Sequence, residues 1–142
     1  MKEINVLPAD TFVVVNRTIL NENDRRIISM LYQPIIGSTA VSLYYTLWAD
    51  LDKTELLSCE YTHHHLMTNL RIKMDLIISA RKKLEAVGLL KTFVKKGSVN
   101  NFVYEMFSPI SASEFFNHPI LNIVLLVKKS MKTYLSILGF QR

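Results

Sequence analysis

The chain has 142 residues, 49% of them hydrophobic and 20% charged, with a formal net charge of +5. That length suits one domain and is short for two, and the composition supports a real core and excludes a disordered tail. A single cysteine, Cys59, excludes an internal disulfide framework and fits a reducing, cytoplasmic setting.

The opening run from Met1 to Pro8 lacks an apolar h-region, so no secretory signal is expected. Asp10–Val15 is β-branched and aromatic and predicts a short strand. A helix is expected over Asn21–Gln33, capped by Asn21 or Asn23, with Glu22 and Asp24 at the positive end of its dipole. Ile27, Ile28, Leu31 and Tyr32 form its apolar stripe. Pro34 should stop it, because the residue before a proline avoids the helical region. Gly37 and Ser38 open a second helix to about Asp50, with Ala40, Val41, Leu43, Tyr44, Leu47, Trp48 and Leu51 at helical spacing.

A polar connection over Asp50–Tyr61 leads to a short helix, Thr62–Leu70, with Thr62 as its cap. After a basic turn, Met74–Val87 reads as another helix with Ile77, Ala80, Leu84 and Val87 on one face. Gly88 supplies a left-handed C-cap, and Leu89 and Leu90 re-enter the core as a strand. Two strands around a polar turn then run to Phe107, and Pro109 ends the second. Ser111 or Ser113 caps a short helix containing Glu114, Phe115 and Phe116. Pro119 starts a final helix running to about Leu138. Helix, turn, helix and two-stranded ribbon is the winged-helix order. The expected class is therefore mostly α with a small β-ribbon: a winged helix-turn-helix with extra N-terminal and C-terminal helices. We expect one domain over 1–142, with a winged-helix core at about 10–108 and a helical extension over 109–142.

The charge is uneven. Between Arg71 and Lys96 eight basic residues face two acids, a local +6 that leaves −1 for the rest of the chain. The candidate phosphate contacts are Lys73, Arg81, Lys82, Lys83, Lys95 and Lys96. Base reading needs Arg, Asn, Gln or Ser near the start of the recognition helix. That turn offers Met74, Asp75, Ile78 and Ser79. Asp75 repels phosphate, so at most weak, nonspecific, salt-sensitive DNA binding is expected. Docking of protein through the apolar residues fits equally well.

The final helix is apolar on nearly every side over Ile120–Val127, which one small domain does not easily cover. Two arrangements satisfy it: a second subunit, or the first strand and first two helices of the same chain. The candidate oligomer interface is Ile120, Ile123, Val124, Leu126 and Val127, with the 10–15 strand or its arm alongside. The same stretch is interrupted by Asn122 and far shorter than the roughly 20 residues of a membrane span.

No catalytic residues, metal site or cofactor site are expected. His63, His64 and His65 lie about 100° apart on a helix and cannot converge on one ion, so they suggest a partly exposed first turn. No second ligand pair complements Cys59 and His63 at zinc spacing, and the default for Cys59 is a buried or inert thiol. The four glycines (Gly37, Gly88, Gly97 and Gly139) are isolated and form no phosphate-cradling loop.

Two runs are distinctive. One is Asp24-Arg-Arg-Ile-Ile-Ser-Met-Leu-Tyr-Gln-Pro-Ile-Ile-Gly37, continuing to Leu43-Tyr-Tyr-Thr-Leu-Trp48. The other is Pro109-Ile-Ser-Ala-Ser-Glu-Phe-Phe-Asn-His-Pro-Ile-Leu121. Together they resemble the N-terminal domain of the Gram-positive replication initiation and membrane attachment proteins of the DnaB/DnaD superfamily, over nearly the whole chain from Val6 to Leu138. The resemblance implies a non-enzymatic primosome component, cytoplasmic and associated with nucleoid or membrane. Its N-terminal domain would serve chiefly in self-assembly, as a dimer or tetramer. The implied partners are a DnaD-like primosome protein, a helicase loader and the replicative helicase. Peripheral membrane association would belong to the full-length protein. The family's principal DNA-binding region is a second, C-terminal helical domain, which this chain, ending at Arg142, is expected to lack. The alternative function is a winged-helix DNA-binding transcription regulator.

Overall fold

A computed structural model of the chain describes residues 5–16, 19–51 and 57–125. In chain order these form β1 (Thr11–Asn16), α1 (Glu22–Ile27), a π-helical turn (Ile28–Tyr32), α2 (Gln33–Ile36) and α3 (Ser38–Ala49). There follow β2 (Tyr61–Thr62), α4 (His63–Leu70), α5 (Met74–Ala86), β3 (Leu90–Lys95), β4 (Asn101–Met106) and α6 (Ala112–Asn117). A last helix, α7, is described over 119–125. The expected winged-helix order is present.

The β-ribbon is half of a larger sheet with strand order β2-β1-β4-β3. β3 and β4 form the antiparallel wing, with Leu90 opposite Met106 and Lys95 opposite Asn101. β1 lies parallel to β4 from Thr11↔Asn101 to Asn16↔Met106, and antiparallel to β2. Both middle strands alternate strictly. Phe12 and Val14 of β1, and Phe102, Tyr104 and Met106 of β4, turn inward while the residues between them stay half-buried or exposed. Against that inner face α3 and α5 bury Leu43, Tyr44 and Leu47, and Ile77, Ala80 and Leu84.

Asn21 caps α1 in a reciprocal capping box with Asp24. The expected stop at Pro34 does not occur. Gln33 is helical at φ −58°, ψ −39°, and the helix runs on to Ile36. The π-helical turn explains the difference. Gln33 N–H reaches back five residues to Ile28 O, and this wider turn just before Pro34 accommodates its ring and missing donor. The actual break is Gly37, at φ +86°, ψ 167°, a conformation open essentially to glycine alone.

The chain beyond the wing is tied to this first helical segment. Tyr44 donates its hydroxyl to Phe107 O at 2.8 Å, and Ile110 N–H donates to the Tyr32 hydroxyl at 3.2 Å. Tyr32 also meets Phe115 edge-on, with ring centroids 5.3 Å apart. Burial raises the pKa of both tyrosines, so they act as neutral hydrogen-bonding groups.

The first turn of α4 is partly exposed, as expected, but His63 within it is fully buried. Its Nδ1 lies 2.7 Å from Asp10 O, and its Nε2 lies 2.6 Å from the Tyr104 hydroxyl. A carbonyl only accepts, so Nδ1 carries the proton and Nε2 accepts from Tyr104. The Asp10 carboxylate in turn accepts from Leu7 N at 2.8 Å and Asn100 N at 3.1 Å. One buried network thus joins the N-terminal arm, the wing turn, β4 and α4. Thr62 occupies the N-cap position of α4 but makes no side-chain cap bond.

Burial pushes His63 below its ordinary pKa, so the folded protein holds it neutral. The unfolded chain binds this proton below about pH 6.5 and the folded chain resists it. Stability from neutral His63 should therefore be complete above about pH 6.5 and fall as the pH drops below it. Urea midpoints from pH 7.5 to 5 should decline less steeply in His63→Gln than in the parent; equal slopes would contradict the assignment. Gly37→Ala should cost about 1–3 kcal/mol in urea unfolding through backbone strain alone, since a Cβ there meets nothing within 4 Å.

Candidate functional site

The inner side of α5 is fixed by Ile77, Ala80 and Leu84. Its outer side carries Asp75, Ile78, Ser79, Lys82, Lys83 and Ala86 at helical spacing, and these six line a shallow surface depression. The small side chains of Ser79 and Ala86 make it shallow, with Ile78, Lys82 and Lys83 rising around them. Leu76, beside Lys83 on the helical wheel, is 48% exposed.

Five of the expected basic contacts lie on the surface: Lys73 before α5, Lys82 and Lys83 on it, Lys95 at the end of β3 and Lys96 in the wing turn. Lys73 and Lys82 are nine residues apart, about 14 Å along a helix, so they cannot share one phosphate. Arg81 is not among the surface cations. Its side chain is 13% exposed, with Nε 3.2 Å from Glu85 Oε1, and its positive charge partly offsets the burial that raises the Tyr104 phenol. Arg81 therefore belongs to the inner network. Helical spacing carried the warning, since residue 81 lies four after Ile77 and three before Leu84.

The wing tip is tethered. Gly97 N–H donates to Asn100 Oδ1 at 3.3 Å, Asn100 N–H to the Asp10 carboxylate, and Thr11 N–H to Asn100 O at 3.1 Å. β1 is paired along its length with β4 on one edge, and on the other with β2 at Thr11 and Phe12 and with Leu57 and Ser58 at Val15 and Val14.

The three histidines diverge. His63 uses both ring nitrogens inside the core, and His64 is exposed. His65 Nε2 sits 2.8 Å from Asp50 Oδ1, with its ring stacked on Tyr61 at 4.2 Å. Burial at the end of α3 raises the Asp50 carboxyl above the usual carboxylate range, and His65 partly offsets this. Cys59 is exposed, so of the buried or inert thiol expected the burial does not hold, and His63 has no lone pair left to share a metal with it. Among the described residues no three metal-ligating side chains gather, and no helix is long and apolar enough to cross a membrane.

α7 begins at an unusual cap. His118 Nδ1 accepts from Ile120 N at 3.2 Å and Leu121 N at 3.1 Å, and Pro119 takes the first helical position. Leu121 and Leu125 are buried. Ile120 and Ile123 are 67% and 60% exposed, and Val124 is half-buried. Leu126 and Val127, also expected at an interface, lie outside the described residues, as does the rest of the expected final helix. The sequence reading missed Phe116, which is 52% exposed on α6 beside the fully buried Phe115. Adjacent helical residues lie about 100° apart, so on a short helix covered from one side one ring of such a pair turns outward.

Comparison with known proteins adds the family. The model of the DnaB N-terminal winged helix domain matches residues 6–130. A replicative helicase loading/DNA remodeling protein DnaB from Staphylococcus aureus (strain NCTC 8325 / PS 47) is 36% identical over 124 residues, covering 87% of this chain and 27% of that protein. The crystal structure of primosome protein DnaB (residues 1–300) from Geobacillus stearothermophilus superposes with a TM-score of 0.83 at 33% identity, covering 94% of this chain and 51% of that one. The chain thus spans about a quarter of the first relative and half of the second. With the winged-helix order in place and the family match running over nearly its whole length, this chain belongs to the DnaB N-terminal winged helix domain family.

Proposed function

We propose that this chain is a non-enzymatic assembly and docking domain acting in replication initiation, where it helps to load the replicative helicase. The observation that carries the reading is the outward face of α7. Two isoleucines more than half exposed on one short helix, with Phe116 exposed just before it, are costly to leave in water and suited to burial between subunits. The names of the two relatives, a helicase loading protein and a primosome protein, support the setting. The interface comprises Ile120, Ile123 and Val124, continuing to Leu126 and Val127. A DnaD-like protein, a helicase loader and the replicative helicase are the partners of the longer protein, which also contacts the membrane peripherally. DNA is a secondary ligand, drawn by Lys73, Lys82, Lys83, Lys95 and Lys96 without sequence readout; Arg81 drops out because it faces inward.

Light scattering across a concentration series should show a stable dimer or tetramer. Ile120→Glu/Ile123→Glu should weaken association at least 100-fold, roughly 3 kcal/mol, while the circular dichroism spectrum stays unchanged. A parent chain that is monomeric at every concentration would remove the reading. Binding to two unrelated DNA duplexes should be equally weak and disappear between about 50 and 200 mM salt. Tight binding to one sequence, abolished by Lys82→Glu, would instead mark a transcription regulator.

A further inference from the structure

We infer that the outer face of α5 is a docking groove for an acidic amphipathic helix supplied by a different protein. This rests on the reading of the chain as an assembly and docking domain and names the chemistry of one partner.

The argument starts from the helical wheel. Asp75, Ser79, Lys82 and Ala86 run along the middle of the exposed side, and Ile78 and Leu76 form its two shoulders. Small residues seven apart, Ser79 and Ala86, let a second helix approach closely, as small residues do wherever helices cross tightly. The shoulders give that helix apolar contacts, Ile78 half-buried and Leu76 largely exposed. Lys82 and Lys83 then set its charge. Both lysines line the same shallow depression as Ile78, Ser79 and Ala86, so an acidic helix seated there meets them together with its apolar contacts.

The same face is poorly built for duplex DNA. A recognition helix needs long polar donors along its exposed centre, especially in the first two turns. Here those turns offer Asp75, Leu76, Ile78 and Ser79. The carboxylate of Asp75 repels phosphate, and the two hydrocarbon side chains have no donor for a base edge. Against a protein helix each becomes useful. Asp75 selects a basic or neutral residue at one end, and Lys82 with Lys83 selects acids at the other, so the charge order fixes the direction in which the partner lies. A second copy of this chain is a poor occupant. Among the described residues α1 and α6 have six residues each, under two turns, and a second α5 would bring two lysines, Lys82 and Lys83, for its one outward acid, Asp75, since Glu85 pairs with Arg81 of its own helix.

The test is selection from a displayed library of random peptides about 16 residues long, enough for four helical turns, on the immobilised full chain. The Lys82→Glu/Lys83→Glu chain serves for counter-selection. The proposal expects enriched peptides with acids and large apolar residues at three- and four-residue spacing, binding the double variant at least tenfold more weakly. Exchanging their acids for lysine should restore binding to the variant. The proposal is overturned by enriched peptides without acids, by equal binding to both chains, by no enrichment, or by a DNA duplex displacing the peptides from Ser79 and Lys82 at physiological salt. Light scattering on the double variant separates this from the assembly reading. An unchanged mass leaves assembly standing whatever the peptides do, whereas loss of the oligomer would place a second copy on α5 and overturn the proposal.

Discussion

Everything in this domain is arranged around a strand inserted from the N-terminus. β1 takes hydrogen bonds from β4 on one side and β2 on the other, in a sheet that would otherwise be the two-stranded wing with a stub beside it. Two strands alone are marginal in water, and four with one buried face form a wall. The insertion also creates a problem at the strand's leading end, where Asp10 is almost fully buried. The problem is solved by backbone donors from Leu7 and Asn100 on its carboxylate, and by His63 on its carbonyl. A wing locked in this way is a rigid shelf, and α4 and α5 inherit their positions from it through His63, Tyr104 and Arg81.

This arrangement divides the charged and polar residues into two populations. One is drawn inward: Asp10, His63, Tyr104 and Arg81. The other stays outside, with Lys82, Lys83, Lys95 and Lys96 on α5 and the wing. The apolar residues divide in the same way. Leu121 and Leu125 hold α7 to the body, and Ile120 and Ile123 are left facing out. The two outward sets belong to different elements, α5 with the wing and α6 with α7. That separation keeps the proposed self-association face on α6 and α7 apart from the proposed docking face on α5.

Much of this was legible from local pattern. The alternation in β1 and β4, the apolar stripes of α3 and α5, and the glycine breaks at Gly37 and Gly88 all follow from rules that act within a few residues. The failures share a cause. His63 is buried because its partners lie 53 and 41 residues away, and nothing in the run of three histidines singles out the first. Pro34 has its usual breaking effect removed by the π-helical turn in front of it, whose last residue, Tyr32, reaches Phe115 and Ile110 far along the chain. The order of the sheet was likewise hidden, because the pairing of β1 spans ninety residues. Of the candidate site, the surface lysines and the isoleucines of α7 were readable from spacing. The inward turn of Arg81 was readable too, had spacing been weighed above charge.

That ninety-residue span has a consequence for how the molecule comes into being. A chain made from its N-terminus exposes β1 first, but the edge that β1 joins is not synthesised until Asn101–Met106. The segments of helices α1 to α5 are complete before then, and their backbone hydrogen bonds are local. The first strand must therefore wait, with Phe12 and Val14 in contact with water or a chaperone, until the wing has left the ribosome. Closing that long loop must wait for β4, and it places the strand between partners that were made after it.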